Sequence, residues 1–340
     1  MALSIMIYHL GSQHYVEPWH FAVVPLDRLG IYGVSIFFVL SGLSMAIAYD
    51  RHIKDLLTSG TFFIRRLFRI WPLLWLVVSI VALQAYFYGH PYSLYRIGLN
   101  LTTLFGFVAP TQYINTGAWS IGNEMVYYAM TPLLIGAFHF RKWIGNVLTI
   151  AAFAIGIYFA FFLLHPGTTL ASQWPVYVNP FNNLFLYCAG LAIYYNFRDK
   201  NLTGRWRPVL LIATIAAFFL YPFAGDQINI VTGVSRIAMS LISVAIVFEF
   251  YKFPPSLPDF VDQKLEQLGI ATYGVYLLHP IVASGVLRVF RKVGVHNSYL
   301  TFFTVVGLTI TIALLTFRFM EQPLLKFGKR ITESRSRSTA

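Results

Sequence analysis

The chain has 340 residues, 57% hydrophobic and only 11% charged, with a net charge of +12, and its mean hydropathy is +0.63. An average soluble domain holds about a quarter charged residues, so this composition excludes a soluble enzyme and points to a polytopic membrane protein. The single cysteine, Cys188, excludes an intramolecular disulfide framework and a multi-cysteine metal site.

The expected fold is an all-α bundle of about ten transmembrane helices of some 20 residues each. Residues 1–330 form one membrane-embedded domain and residues 331–340 a polar cytoplasmic tail. Ala2–Gly11 reads as the second half of a first helix, since it is too short to span and lacks the basic flank of a signal peptide. An aromatic, proline-bearing loop follows, whose His14 and His20 are spaced poorly for a helical metal pair and read as solvated. Residues 30–49 make the second span, with Gly33, Ser41, Gly42 and Ser44 offering small faces for close packing.

Next comes FFIRRLFRIWP at residues 62–72, which sets Arg65, Arg66 and Arg69 against the uncharged run 71–87. Guanidinium groups are costly in hydrocarbon, so this cluster belongs at the membrane surface. On a helix Arg65 and Arg69 are one turn apart and Arg66 shares their flank, which makes a fork for phosphates and equally a plain topology anchor. Residues 94–108 are apolar but short, an interfacial or re-entrant segment. Further spans fall near residues 118–138, 144–164, 178–197, 209–223, 228–251, 268–289 and 298–319.

Nineteen of the 25 Lys and Arg lie in loops on the side of the arginine cluster and five on the other, with Arg236 inside a span. This asymmetry puts the cluster and the C-terminus in the cytoplasm, with the protein in the cell membrane, and it accounts for the basic charge without nucleic acid.

Ionisable groups inside spans are functional candidates by default. Four stand out: His9, Glu124 in AWSIGNEMVYY, Arg236, and His279 in YGVYLLHP. Each also has a structural reading. Glu124 and Arg236 at similar depth form a pair, His279 beside Pro280 serves backbone groups freed by the break, and His9 packs on an apolar helix. Neither a G-x-S-x-G elbow, a P-loop nor H-E-x-x-H occurs, and no metal site is expected.

Six pieces in this order carry a family likeness: IMIYHL, GVSIFFVLSG, FFIRRLFRIWP, WSIGNEMVYYAMTP, LGIATYGVYLLHP and EQP. Together they make the chain resemble the acyltransferase-3 family of integral-membrane O-acyltransferases. The resemblance implies acetyl-CoA or another acyl-CoA as donor and, as acceptor, a hydroxyl on an envelope or exported glycan. It lays the family's R-x-x-R element on Arg66 and Arg69 and its first-helix histidine on His9. The family's arginine about eleven residues, or three helical turns, before that histidine would precede Met1, so the first helix reads as truncated.

The expected roles follow from this. Arg65, Arg66 and Arg69 hold the CoA phosphates, and His9 is the general base on the acceptor hydroxyl. Glu124 orients an imidazole or the acceptor, with Arg236 as counter-charge. His279 is the second acid/base candidate. The alternative is a transporter or glycan flippase whose buried charges line a substrate path; it would call for inverted repeats or paired broken helices, and the sequence has neither.

Overall fold

The computed structural model describes residues 1–12, 23–202, 204, 206–222 and 224–338, and every regular element among them is helical. His14 and His20 lie outside the described residues. In chain order the helices are α1 (Ala2–Ser12), α2 (Val23–Tyr49), α3 (Leu56–Phe87), α4 (Leu94–Leu101), α5 (Phe105–Val108), α6 (Ala118–Phe140), α7 (Lys142–Tyr158) and α8 (Trp174–Tyr177). They continue with α9 (Pro180–Phe197), α10 (Arg207–Leu220), α11 (Ile228–Val231), α12 (Gly233–Lys252), α13 (Asp259–Lys292), α14 (Ser298–Thr316) and α15 (Gln322–Ser338). A π-helical turn, Phe159–Leu163, extends α7, and a second, Phe317–Glu321, joins α14 to α15.

Six of the described segments are long and apolar enough to cross a membrane: Leu26–Tyr49, Thr58–Phe87, Lys142–Leu163, Gly233–Lys252, Asp259–Lys292 and Ser298–Glu333. The all-helical class is therefore as expected, while the count of about ten is not reached by length and hydropathy. Two expected spans are short apolar helices, Ala2–Gly11 and Arg207–Leu220. Two more, α6 and α9, form as helices but are diluted by polar residues. Ser120, Asn123, Glu124, Asn182 and Asn183 are all buried, so the protein and not lipid receives them.

Two compact units make up the chain. The first contains α2, α6 from Asn123 onward, and α7 to α12. Its core is the contact of α2 with α9, where glycine lets backbones touch. A Cβ on Gly42 would fall 2.0 Å from the Tyr187 carbonyl oxygen, and one on Gly190 would fall 2.1 Å from that of Val39. The second contains α1, α3 to α5, the first residues of α6, and α13 to α15. At 34 residues α13 is about 50 Å long. It carries Asp259 and Asp262 in its first turn and Arg291 and Lys292 in its last, as the helix dipole favours.

Two local outcomes bear on the site. Residues 94–108 fold as the two short helices α4 and α5. The turn between them is held by Trp75, whose Nε1 donates to the Leu101 carbonyl at 2.7 Å. Residues 331–338 of the expected tail are the end of α15. The apolar positions Leu324, Phe327 and Ile331 recur at helical spacing among charges, a stripe that the polar composition hides. Phe327 meets Phe68 of α3 edge to face at 5.8 Å.

Candidate active site

The second unit brings two of the expected site residues together. His9 sits two turns along α1, and His279 lies two-thirds of the way along α13, directly before Pro280. Their rings are nearly parallel, with centroids 5.1 Å apart and planes at 17°. Nδ1 of His9 is 2.8 Å from Nε2 of His279, and Nδ1 of His279 is 3.1 Å from the Val275 carbonyl oxygen.

These distances fix the tautomers of the neutral pair. A carbonyl oxygen only accepts, so the proton on His279 is at Nδ1 and its Nε2 is the acceptor. His9 must then donate through Nδ1, which leaves its own Nε2 with a lone pair. His279 is almost wholly buried, whereas His9 keeps partial exposure. A buried imidazole thus orients a more accessible one, the arrangement in which a base is held by a third group.

Tyr276, one turn before His279, ties α13 to the chain ahead of α6. Its hydroxyl donates to the Gly117 carbonyl at 2.8 Å and lies 2.8 Å from Ser120 Oγ. Asn115 Nδ2 donates to the Leu277 carbonyl at 3.1 Å. With Pro280 withholding the N–H that would bond the Tyr276 carbonyl, this stretch of α13 is supported from its side and not by its own ladder alone.

The arginine cluster lies in the same unit and is anchored to the last helices. Arg69 Nη1 is 2.9 Å from Glu321 Oε2, a carboxylate whose side chain is 2% exposed. Glu321 ends the π-helical turn between α14 and α15, where the widened helix presents it. The Arg69 guanidinium also lies 5.5 Å from the Tyr273 ring centre. Arg65 Nε donates to Thr332 Oγ1 at 3.0 Å, and Arg66 is half-buried between them in sequence.

Glu124 and Arg236 belong to the first unit, and among the described residues no ion pair joins them. Glu124 Oε1 accepts from Ser41 Oγ at 2.5 Å and from the Tyr128 hydroxyl one turn along α6. Arg236 is fully buried and donates from Nη2 to Asn183 Oδ1 at 2.5 Å. Glu124 is thus contacted by two hydroxyls and Arg236 by one amide oxygen, and the expected direct pair is not formed among the described residues.

Sequence reasoning passed over a third cluster in this unit. Asp50, just after α2, takes His139 Nε2 at 2.8 Å on one oxygen and Arg198 Nη1 at 2.6 Å on the other. Burial alone would raise its carboxyl pKa, but the His139 and Tyr195 hydrogen bonds and the Arg198 charge outweigh burial and hold it below the ordinary range. The signal available in the sequence was weak: one acid at the edge of a basic loop. Among the described residues, no three His, Cys, Asp or Glu groups converge as a metal site would require.

Comparison with known proteins gives a family match and distant relatives. A family model described as an acyltransferase domain matches residues 1–318. The chain is 25% identical over 342 aligned positions to the peptidoglycan O-acetyltransferase OatA of Listeria monocytogenes, covering 88% of this chain and 52% of that protein. It therefore spans about half the length of OatA. Against the exopolysaccharide production protein ExoZ of Rhizobium meliloti it is 24% identical over 316 positions, covering 88% of this chain and 91% of that one. No solved structure matches.

Proposed function

Because the chain belongs to the acyltransferase-3 family of membrane proteins, we propose that it is an O-acyltransferase moving an acyl group, acetyl in the first instance, from cytoplasmic acyl-CoA to a hydroxyl of an envelope or exported glycan. Two relatives support the glycan acceptor by name: one is a peptidoglycan O-acetyltransferase and the other an exopolysaccharide production protein. In this reading the protein is in the cell membrane with its arginine cluster and C-terminus in the cytoplasm, on the strength of the Lys and Arg asymmetry.

The observation that carries the mechanism is the 2.8 Å hydrogen bond from His9 to His279. With Nδ1 committed, His9 meets the acceptor through Nε2, the nitrogen that holds a lone pair. It removes the hydroxyl proton as the oxygen attacks the thioester carbonyl. The new C–O bond forms, the C–S bond breaks, and the imidazolium returns its proton to the departing thiolate. His279 is a positioning residue: it fixes the ring and stabilises the imidazolium through the proton on Nδ1 of His9.

Arg65, Arg66 and Arg69 are the donor-binding candidates, since guanidinium groups suit phosphate oxygens in paired contacts. Arg69 is held ready by Glu321, and a phosphate would compete with that carboxylate. Glu124 is a further catalytic candidate, its carboxylate fixed by Ser41 and Tyr128. Arg236 takes a different role, argued below.

The test is mass spectrometry of envelope glycans from cells carrying no copy, the wild-type gene or a His9→Gln gene. The expected result is a mass increment of one acyl group with wild type only. An unchanged glycan in all three would overturn the assignment.

A further inference from the structure

Arg236 occupies a position that is unfavourable for a cation. It is the fourth residue of α12, inside the first turn, where the helix dipole presents its positive end. Thr232, at the N-cap, makes no side-chain capping bond that would bring in an oxygen. The guanidinium is fully buried and has no ion-pair partner among the described residues. The rings of Tyr32 and Phe185, with centres 5.7 and 5.6 Å from it, provide only partial compensation.

The hydrogen bonding is incomplete as well. Of its donors, Nη2 reaches Asn183 Oδ1 at 2.5 Å. Nε and Nη1 have no acceptor among the described residues, and neither does Nδ2 of Asn183. Asn183 is the fourth residue of α9, so it too stands in the first turn of a long helix, and it is buried. Three unsatisfied donor groups, one net positive charge and an uncapped helix N-terminus all favour an incoming oxyanion, and burying such groups without one is costly.

We infer that Arg236 and Asn183 form a binding site in the first unit for an oxyanion, a carboxylate or phosphate group carried by a ligand that enters the bundle. The site is independent of the acyl-transfer reading, because binding is measured without turnover.

The experiment uses the full chain purified in detergent, with unfolding temperature followed in sodium acetate, sodium phosphate and sodium chloride at matched ionic strength. For wild type, the expected result is a saturable rise in Tm with acetate or phosphate beyond that with chloride. A response to acetate alone assigns a carboxylate-bearing ligand, and one to phosphate alone a phosphate-bearing ligand such as a lipid headgroup. Asn183→Asp supplies a carboxylate at the oxygen Arg236 already contacts, so this variant should have a higher Tm than wild type and no oxyanion response. Arg236→Gln should also lose the response, and the Asn183→Asp arm decides the inference without it. Wild-type Tm that follows ionic strength alone in all three salts overturns the site, as does an Asn183→Asp protein that responds like wild type.

Discussion

His9 donates through Nδ1 to Nε2 of His279 at 2.8 Å, and His279 is itself pinned to the Val275 carbonyl at 3.1 Å. One imidazole is held at both nitrogens while the other keeps one nitrogen for chemistry. The roles of the two rings are therefore unequal.

That inequality predicts a mutational pattern. His9→Gln removes the proposed base and should lower kcat by about 10²- to 10⁴-fold with the protein still folded. His279→Gln leaves the proposed base in place but loosens its orientation, so the loss should be smaller. Groups that act as a unit are not additive, so the double variant should be no slower than His9→Gln alone. Rates of acyl transfer to isolated glycan, measured for all three, decide the matter. A His279→Gln protein slower than His9→Gln would exchange the two roles.

Arg69 has a structural partner as well as a proposed ligand, and the two tasks separate by substitution. Arg69→Ala leaves Glu321 as a buried carboxylate without its counter-charge, a loss of about 3 kcal/mol, at the low end for buried pairs because Arg69 is 27% exposed. Replacing Arg66 and Arg69 together by Lys retains the charge and removes the planar fork. That protein should insert and melt like wild type while its KM for acyl-CoA rises. An unchanged KM would reduce the cluster to an anchor.

Much of this site was legible in the sequence because burying charge in a membrane is rare. His9, Glu124, Arg236 and His279 each stood out as an ionisable residue in an apolar run. Their partners were not legible. The two histidines are separated by 270 positions, and no local spacing announces that bond. Glu124 and Arg236 were expected to meet, yet among the described residues hydroxyls contact Glu124 and a single amide oxygen contacts Arg236, because neutral groups within one turn or on a touching helix reach a charge at lower desolvation cost than a second ion does. Glu321 was visible only as part of EQP; the π-helical turn that aims it at Arg69 leaves no mark in composition.

The Asp50 cluster predicts an acid limb in stability. Its folded pKa lies below the unfolded value of about 3.9, so its contribution is fully present above that pH and is lost as pH falls through the folded pKa. Asp50→Asn should therefore be less stable than wild type at pH 7, and the difference should shrink below pH 4. Melting of both proteins across pH 3 to 7 in detergent tests the sign. A gap that is constant with pH would mean that the cluster stabilises by packing and not by charge.

Orientation is open to a direct chemical test on a Cys188→Ser background. Cysteines placed at the exposed positions Arg141 and Lys200 should react with an impermeant maleimide only in inverted vesicles. Those at His90 and His165, exposed loop positions on the opposite side by the Lys and Arg asymmetry, should react in intact cells. The reverse pattern would move the arginine cluster to the outer face and separate it from cytoplasmic acyl-CoA.

The burial of α9 has a consequence for how the chain is made. Asn182 and Asn183 are hidden, Gly190 is pressed against the α2 backbone, and the helix does not qualify as a span by its own hydropathy. A translocon that judges each segment alone would hold α9 poorly. The order of synthesis eases this difficulty, because α2, α6 and α7, against which α9 packs, are already made when α9 emerges, although the Arg236 partner of Asn183 follows later on α12. Helix α9 enters the membrane as the guest of earlier helices, and moving it ahead of α2 by circular permutation would leave it stranded outside the bilayer.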